Sequence, residues 1–392
     1  MTGKKNHGLF HNSLDISHVK KHCRRLILIL CAGMLLTGCG TGGAGNGTEE
    51  STLERKDLDY EGPSMIQSPT SVTFMKDGMV RNPLTGRWID AKYSNQRPIA
   101  VQYENVSASV PHYGLTFADV TYEILCEDNV TRFMAMFTEY DKVEKFEPIR
   151  SDLHYFDRKA VEYDAIHVFC GASDYANQND LYENQYPHVN FIDLLRDPGL
   201  NRDETRYAPH NAYTTPALIK SQIEAKGFSS THRAYYEDNH KFKEEFSEME
   251  GEIAEIVRIP DFYGRPAYVY YEDDRVYYRY QFGDELVDYQ NGYQVWCTNI
   301  LIQMVEYKNL DGYDEDGGLD LDWSGSGKGY YCTAGRMIPV TWKYSNYSTR
   351  WYDMNGNELQ MNPGKTWIEV FDNSRSTNGV TFEENTIEKD EK

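Results

Sequence analysis

The sequence is short of positive charge and lacks a hydrophobic run long enough to cross a membrane. It holds 40 lysine and arginine residues against 61 aspartate and glutamate residues, which gives a formal net charge of −21. A chain this acidic repels nucleic acid unless its basic residues cluster locally, so we predict that it does not bind nucleic acid. The apolar run Leu26 to Leu36 has about 11 residues, whereas a spanning helix needs about 20.

The sequence also lacks the short motifs of several catalytic and metal-binding classes. No CxxC pair or Cys/His spacing suits zinc, and no GxSxG elbow surrounds Ser151. The acidic run at 311–322 departs from the EF-hand pattern, because Gly312 and Trp323 would stand at its first and last positions. We therefore expect a solvated acidic loop there, and we predict neither a metal site nor a cofactor.

The cysteines leave two alternatives open. Three of the seven lie near the N-terminus, which leaves Cys126, Cys170, Cys297 and Cys332 in the rest of the chain. In an exported protein these four residues could form two disulfides. Buried free thiols are the other expectation for a domain of this size.

The N-terminal segment has the pattern of a bacterial lipoprotein signal peptide. Basic residues precede the apolar run, and Leu36-Thr37-Gly38-Cys39 closes it in the manner of a lipobox. We predict a signal peptide over 1–38, a diacylated Cys39 and a flexible tether over 39–75, rich in Gly, Thr, Ser and acidic residues. This predicts a lipid-anchored protein on the extracytoplasmic face of a bacterial cell membrane.

The remaining pattern predicts two folded parts. The 31 tyrosines and a hydrophobic fraction of 40% indicate packed, β-rich structure. The predicted fold class is mixed α/β, with an N-terminal α/β domain and mixed sheet over 76–245 and a smaller, mainly antiparallel β domain over 246–375. The acidic end, 376–392, is predicted to be disordered.

A hairpin and a helix start are predicted to bring charged side chains together. Two β-rich runs flank the turn pair Asp128-Asn129, which would place Leu125 opposite Arg132 and Glu123 diagonal to Arg132 on the same face. Ser151 has the character of a helix N-cap, before an apolar stripe at 3-4-3 spacing from Leu153 to Tyr163. Free N–H groups at such a helix start favour an anion.

A second helix is predicted from its end signals. Thr215 has the character of its N-cap, Pro216 stands at its first position, and Gly227 follows its end. Beyond about residue 241 the pattern changes to alternating strands, with a hairpin turn at Asn355-Gly356.

Several sequence pieces together resemble one family. The pieces are NPLTG (82–86), RPIAVQYEN (97–105), GLTFADVTYEIL (114–125), NVTRFMAMF (129–137), EPIRSD (147–152), EYDAIHV (162–168), RYAPHNAYT (206–214), GSGKGYY (325–331) and NPGKTWIEV (362–370). They resemble the YerB-like lipoproteins, a family of unknown function with N- and C-terminal parts. The resemblance implies a two-part α/β envelope lipoprotein and brings no established activity.

The resemblance also implies a set of site positions. These positions are Asn105, Asp119, Glu123, Arg132, Arg150, Ser151, Arg206, His210 and Asn211. The chain departs from the family pattern at Cys126 and at the turn Asp128-Asn129, where small residues are usual.

These residue types allow an anion site or an acid–base pair. Arg132, Arg150 and Arg206 carry planar guanidinium groups, which can donate paired hydrogen bonds to phosphate or carboxylate. His210 and Glu123 are the candidate general acid and base, and Asn211 and the Ser151 backbone could donate to an oxyanion. Asn105 and Asp119 are expected to support the site. The alternative is a structural Glu123–Arg132 ion pair, with His210 hydrogen-bonded in a loop.

Two functional hypotheses follow from these residues. The first is a binding protein for an anionic envelope ligand or a membrane-protein partner. The second is a hydrolase or transferase acting on a phosphate-containing cell-wall polymer or a lipid-linked precursor. An enzyme requires His210 and Glu123 to face the arginines across an open cleft, whereas a binding protein requires only the arginines.

Overall fold

The computed structural model describes residues 78–127, 129–176, 190–234, 236–310, 318–374 and 379–385. The predicted signal peptide 1–38, Cys39 and the tether 39–75 lie outside these residues, as do Asp128 of the hairpin turn and 311–317 of the acidic run. Within the described ranges, no helix is both long and apolar enough to cross a membrane.

Strands make up most of the described secondary structure. The strands before the predicted boundary are β1 (Met79–Arg81), β2 (Trp88–Asp90), β3 (Ile99–Asn105), β4 (Val120–Glu127), β5 (Val130–Phe137), β6 (Ile166–Phe169), β7 (Asn190–Asp193), β8 (Asn201–Arg202), β9 (Ala212–Tyr213) and β10 (Lys241–Phe242). Those after it are β11 (Glu252–Ile253), β12 (Ile256–Arg258), β13 (Ala267–Tyr271), β14 (Val276–Gln281), β15 (Asp284–Glu285), β16 (Trp296–Cys297), β17 (Asn299–Asn309), β18 (Leu319–Asp322), β19 (Ser326–Thr333), β20 (Arg336–Ser345), β21 (Ser348–Tyr352), β22 (Gln360–Met361), β23 (Thr366–Asp372) and β24 (Thr381–Glu383).

Two α-helices have their bounds within the described residues, α1 (His154–Glu162) and α2 (Pro216–Lys226). The fold is therefore mainly β with mixed sheets, and the α/β class expected for residues 76–245 is not supported. Helix α2 has the predicted ends: the Thr215 side chain accepts from the Leu218 amide, and Gly227 adopts a left-handed conformation. Strand β24 lies inside the predicted disordered tail, where it pairs with β12 instead.

One central sheet contains strands from both halves of the chain. Its order is β11-β20-β19-β17-β23-β4-β5-β3-β6-β7, with β18 on β17 and β21 on β20. Strand β23 pairs in parallel with both β17 and β4, and β3, β6 and β7 are also parallel to one another. The remaining pairs along this order are antiparallel, so the sheet is mixed.

The two faces of the central sheet are covered by different elements. Side chains alternate along a strand, so Val101 and Tyr103 of β3 face one side and Ala100 faces the other. The first face packs against the second sheet, of order β15-β14-β13-β12-β24 with β16 on β14, through residues such as Tyr268. The opposite face packs against α1, through Tyr155 and other buried side chains.

The predicted boundary near residue 245 does not coincide with a boundary between sheets. Strand β23 comes from the C-terminal half but lies between β17 and β4 in the central sheet. The described residues from Gly78 to Glu384 belong to a single compact unit. Whether the two halves fold semi-independently therefore stays a prediction.

Limited proteolysis should cut first within 40–75 and next within 228–250. The second stretch is mostly exposed or half-buried, and exposed polar segments are the usual sites of nicking. Because β23 pairs with β4, we expect the two fragments to elute together in size exclusion and to separate only in denaturant. Resistance throughout 80–370 would show a single merged unit instead.

No disulfide joins the four cysteines of the described chain, and two acidic residues of the described part of the acidic run have polar partners. Cys126, Cys170, Cys297 and Cys332 are all free thiols, so the alternative of two disulfides is not what the structure shows. In the described part of the acidic run, Asp320 lies 2.8 Å from His154 Nε2, and Asp322 accepts from the Ser324 amide.

Candidate functional site

The register of the β4–β5 hairpin separates two residues that were predicted to share a face. Glu127 pairs with Val130 across the predicted turn, but a bulge between Leu125 and Glu127 shifts the pairs that follow by one residue. Ile124 therefore stands opposite Arg132, and Glu123 stands opposite Phe133. A shift of one residue exchanges the two faces of a strand. The prediction that Glu123 and Arg132 lie on one face is wrong for this reason.

Glu123 belongs to a buried network between the two sheets. Its Oε2 accepts from Arg279 Nη2 at 2.6 Å, and its Oε1 accepts from Thr131 Oγ1 at 2.6 Å and from Asn105 Nδ2 at 3.1 Å. Arg279 also donates to Glu369 Oε1 at 3.1 Å. Glu123 is fully buried and faces Arg279 rather than the predicted arginines. Asn105 was predicted to support the anion site, but its side chain donates to Glu123 in this interior network.

A different carboxylate, Glu104, contacts two of the predicted basic residues, Arg150 and His210. It lies on β3 directly opposite Arg132 of β5. Its Oε2 lies 2.7 Å from His210 Nδ1, and its Oε1 lies 3.3 Å from Arg150 Nε. Arg132 Nη1 donates to the Ser151 carbonyl at 3.0 Å. We call this group, Glu104 with Arg132, Arg150, Ser151 and His210, the Glu104 edge.

Ser151 is not a helix cap. The segment 150–152 is held as extended chain: the Arg150 amide donates to Gln102 O at 2.9 Å, and the Asp152 amide donates to Gly171 O at 2.8 Å. Helix α1 begins only at His154, and its N-cap residue, Leu153, makes no side-chain capping bond. The predicted helix start at Ser151 is therefore wrong, because backbone pairing with neighbouring segments keeps residues 150–152 extended and the helix begins only at His154.

Arg206 and Asn211 organise the loop that carries His210. Arg206 donates to the carbonyls of Ser109, at 3.1 Å, and Pro111. Asn211 Nδ2 donates to the carbonyls of Asp203 at 3.1 Å and Arg206 at 3.2 Å. Both side chains thus shape the loop beside the Glu104 edge.

Asp119 lies apart from these residues. Its carboxylate accepts from the Thr138 amide at 2.7 Å and from Asn82 Nδ2 at 3.1 Å. Burial raises the pKa of Asp119, and these hydrogen bonds oppose that change. Its contacts describe a buried junction between β4 and the segment before β2 rather than a part of the Glu104 edge.

A second polar group lies behind the Glu104 edge on the face that α1 covers. His167 of β6 places Nδ1 2.9 Å from Asp157 Oδ1 of α1 and 3.7 Å from Asp152 Oδ1, and its Nε2 lies 3.3 Å from Gln102 Oε1. Asp152, Asp157 and His167 are fully buried, and their candidate ligand atoms lie within 4.8 Å of one another. Burial lowers the pKa of His167, and Asp152 opposes that change.

Glu104 lies near the carboxyl end of β3, and Asp152 hydrogen-bonds to Gly171 just past the carboxyl end of the parallel strand β6, whereas His167 lies near the start of β6. Carboxyl ends of parallel strands are frequent ligand sites, because the connecting loops gather there. No sequence pattern marks Glu104, Asp152, Asp157 and His167 as a group, since a strand, an extended segment, a helix and a second strand supply them. The alternation of Gln102 and Glu104 along β3 is the one local sign that both face the same side.

Comparison with known families identifies the chain. The N-terminal domain of a protein family of unknown function, DUF3048, matches residues 84–229, and the C-terminal domain of the same family matches residues 257–368. The chain belongs to the DUF3048 family. The interval between the two matched regions contains the predicted boundary near residue 245.

Two comparisons show which proteins this DUF3048 chain is similar to. It is 30% identical over 297 residues to "Putative lipoprotein YerB" of Bacillus subtilis (strain 168), covering 74% of this chain and 86% of that protein. A crystal structure of YerB protein from Bacillus subtilis matches with a TM-score of 0.68 and 27% identity, over 78% of this chain and 100% of that one. The resemblance to YerB-like lipoproteins is thus confirmed. Similarity to a lipoprotein indicates a membrane-anchored protein of the cell envelope, and it names no activity.

Proposed function

We propose that this DUF3048 protein is anchored by a diacylated Cys39 on the extracytoplasmic face of the membrane and binds an anionic envelope ligand at the Glu104 edge. The observation that supports this proposal is that Arg150 and His210 pair with Glu104 and that Arg132 lies opposite Glu104 on the neighbouring strand. A local cluster of basic groups is unexpected in a chain with a formal charge of −21.

The charges at this edge favour an anion. Glu104 supplies one negative charge, while Arg132 and Arg150 supply two positive charges, and His210 adds a third when it is protonated. The Arg150 side chain is 34% exposed, whereas Glu104 is 6% exposed. Glu104 therefore forms the floor, and Arg150 is the guanidinium that a ligand can reach. A planar guanidinium matches the oxygens of phosphate or carboxylate in two parallel hydrogen bonds.

An enzyme of phosphate-containing polymers or lipid-linked precursors is the second candidate. The contact between Glu104 and His210 Nδ1 favours it, since a carboxylate that orients one ring nitrogen leaves Nε2 as a possible acid or base. Against it, Glu123 faces Arg279 in the interior and does not join the arginines. Phosphodiester turnover that disappears in His210→Gln would favour the enzyme over the binding protein.

Arg150→Ala should weaken the thermal stabilisation of the protein by inorganic phosphate or soluble polyglycerol phosphate. We expect the half-saturating ligand concentration to rise at least about tenfold, because a charge-assisted pair with the anion is lost. The melting temperature without ligand should fall by no more than about 2 °C, because a partly exposed ion pair contributes only about 0–1 kcal/mol.

Arg258→Ala is the matched control for this measurement. Arg258 pairs with Glu383 at 3.2 Å and is also partly exposed, but it lies on β12 in the second sheet. It should leave the response to phosphate unchanged. A response that Arg150→Ala preserves would refute the Glu104 edge as the binding site, whatever its effect on stability.

A further inference from the structure

We propose that Asp152, Asp157 and His167 form a binding site for one divalent transition-metal ion, with Gln102 orienting the histidine. The site lies beside the Glu104 edge but does not depend on the anion-binding function proposed there. Each of the three residues offers one ligand atom, and these atoms all lie within 4.8 Å of one another.

The distances between the candidate ligand atoms suit a common metal ion. Two ligands held about 2.0–2.2 Å from one ion, at angles near 90–110°, lie roughly 2.9–3.6 Å apart. His167 Nδ1 lies 2.9 Å from Asp157 Oδ1 and 3.7 Å from Asp152 Oδ1. The imidazole thus lies near the spacing of a coordination sphere from both carboxylates, and because all three ligand atoms lie within 4.8 Å of one another, side-chain adjustments would bring them onto one ion.

Gln102 is the independent observation that points to a ligand at this place. It is fully buried, its Oε1 lies 3.3 Å from His167 Nε2, and its Nε2 has no hydrogen-bond partner among the residues that the structure describes. When the carbonyl oxygen of Gln102 accepts a hydrogen bond from Nε2–H, the neutral His167 is in the tautomer that presents the lone pair of Nδ1 to the two aspartates. A lone pair facing carboxylate oxygens is repulsive unless a positive group lies between them.

The arrangement of His167 and Gln102 is the usual outer shell of a metal-binding histidine. Such histidines donate their second ring nitrogen to a carbonyl or carboxylate, which fixes the tautomer and the orientation of the ring. Gln102 would therefore be a positioning residue, since it touches His167 and not the ion.

The backbone holds the three ligands in place from independent elements. The Asp152 amide donates to Gly171 O at 2.8 Å, and the Asp152 carbonyl accepts from the Ser173 amide at 3.1 Å. Asp157 lies on α1, and His167 lies on β6 between β3 and β7. A site preorganised in this way needs little rearrangement to bind an ion.

The ligand set selects the kind of ion. Two carboxylates and one imidazole suit Zn²⁺ or Mn²⁺, because hard Ca²⁺ and Mg²⁺ prefer all-oxygen sites and softer ions prefer thiolates. Both carboxylates are fully buried, so a divalent cation would offset two negative charges where water cannot.

The purified full chain, treated with EDTA and dialysed, should take up one Zn²⁺ or Mn²⁺ per molecule. Metal content by mass spectrometry and binding by calorimetry measure this directly, and the metal should raise the melting temperature of the stripped protein. Asp157→Asn and His167→Gln should weaken binding by at least about a hundredfold, and Gln102→Leu by about 10–100-fold.

His240→Gln is the control, because His240 is also a buried histidine but hydrogen-bonds to Tyr163 away from these aspartates. It should bind metal as the unaltered chain does. The measurement on the unaltered chain is decisive even if a variant fails to fold. If the stripped chain binds neither Zn²⁺ nor Mn²⁺ at millimolar concentration, a proton rather than a metal lies between His167 and the aspartates, and the proposal is overturned.

Discussion

Replacing Arg279 with methionine is expected to lower the free energy of unfolding by about 3–5 kcal/mol, because the change strands a buried carboxylate. Arg279 is fully buried and donates to Glu123 Oε2 at 2.6 Å and to Glu369 Oε1 at 3.1 Å. Its guanidinium also lies 4.3 Å from the centre of the Trp367 ring. Methionine keeps much of the packing volume but leaves Glu123 and Glu369 without this cation.

The expected loss of stability is large because Arg279 is a charged side chain buried between the two sheets. Burial by itself lowers the pKa of Arg279, but the neighbouring acidic groups, Glu123 first, outweigh burial and raise it, so the side chain is charged at every ordinary pH. Arg279 comes from β14 of the second sheet, whereas Glu123 and Glu369 lie side by side on β4 and β23 of the central sheet. The network therefore joins both sheets and both family domains.

Urea unfolding and thermal melting of Arg279→Met check this expectation. The melting temperature should fall by roughly 6–15 °C for a loss of this size. Arg350→Met is a matched control, since Arg350 also pairs with two glutamates, Glu358 at 3.0 Å and Glu237 at 2.8 Å, but at the surface. The control should cost about 1 kcal/mol or less. Equal losses in the two variants would contradict a special role for the buried network.

Features that depend on neighbouring residues were predictable from the sequence. The ends of α2 follow from Thr215, Pro216 and Gly227, each of which acts within one turn of the helix. The hairpin turn at Asp128-Asn129 likewise agrees with the pairing of Glu127 and Val130 that flanks it. In both cases the physical cause is local, so the pattern alone contains it.

Features that depend on tertiary pairing were not predictable in the same way. The bulge near Cys126 moved Glu123 to the opposite face, and the pairing of 150–152 between β3 and the chain after β6 displaced the helix start from Ser151 to His154. Arg150 and His210 do lie close together, but they meet on Glu104. No local pattern shows that β3 pairs with β5, which is what brings Glu104 opposite Arg132.

Glu369→Gln should change how stability depends on pH. Burial and the neighbouring charge of Glu123 raise the pKa of Glu369 well above its ordinary value of 4.5, against the opposing effect of Arg279. The folded protein then keeps a proton on Glu369 that the unfolded chain loses above about pH 4.5. The contribution of Glu369 to the free energy of unfolding is therefore largest below about pH 4.5. It is lost as the pH rises towards the pKa that Glu369 has in the folded protein.

Glutamine resembles the protonated acid and has no proton to lose. The stability of Glu369→Gln relative to the unaltered chain should therefore increase with pH. The increase should be about 1.4 kcal/mol per pH unit between about pH 4.5 and the pKa of Glu369 in the folded protein. The contribution of Lys365 to stability changes with pH in the opposite direction. Burial lowers the pKa of Lys365 to about 7, so its contribution to stability increases as the pH rises above 7. Because Lys365 is present in both proteins, its effect cancels in the difference.

Urea unfolding of both proteins at half-unit steps from pH 4.5 to 8 measures this difference. Parallel pH profiles would mean that Glu369 is ionised in the folded protein. Arg279 would then have to offset the charge of two carboxylates, which lie on adjacent strands at Glu123 and Glu369. In that event Arg279→Met would leave two buried negative charges rather than one, and its destabilisation should exceed the range expected above. Both measurements therefore report whether Glu369 is protonated in the folded protein.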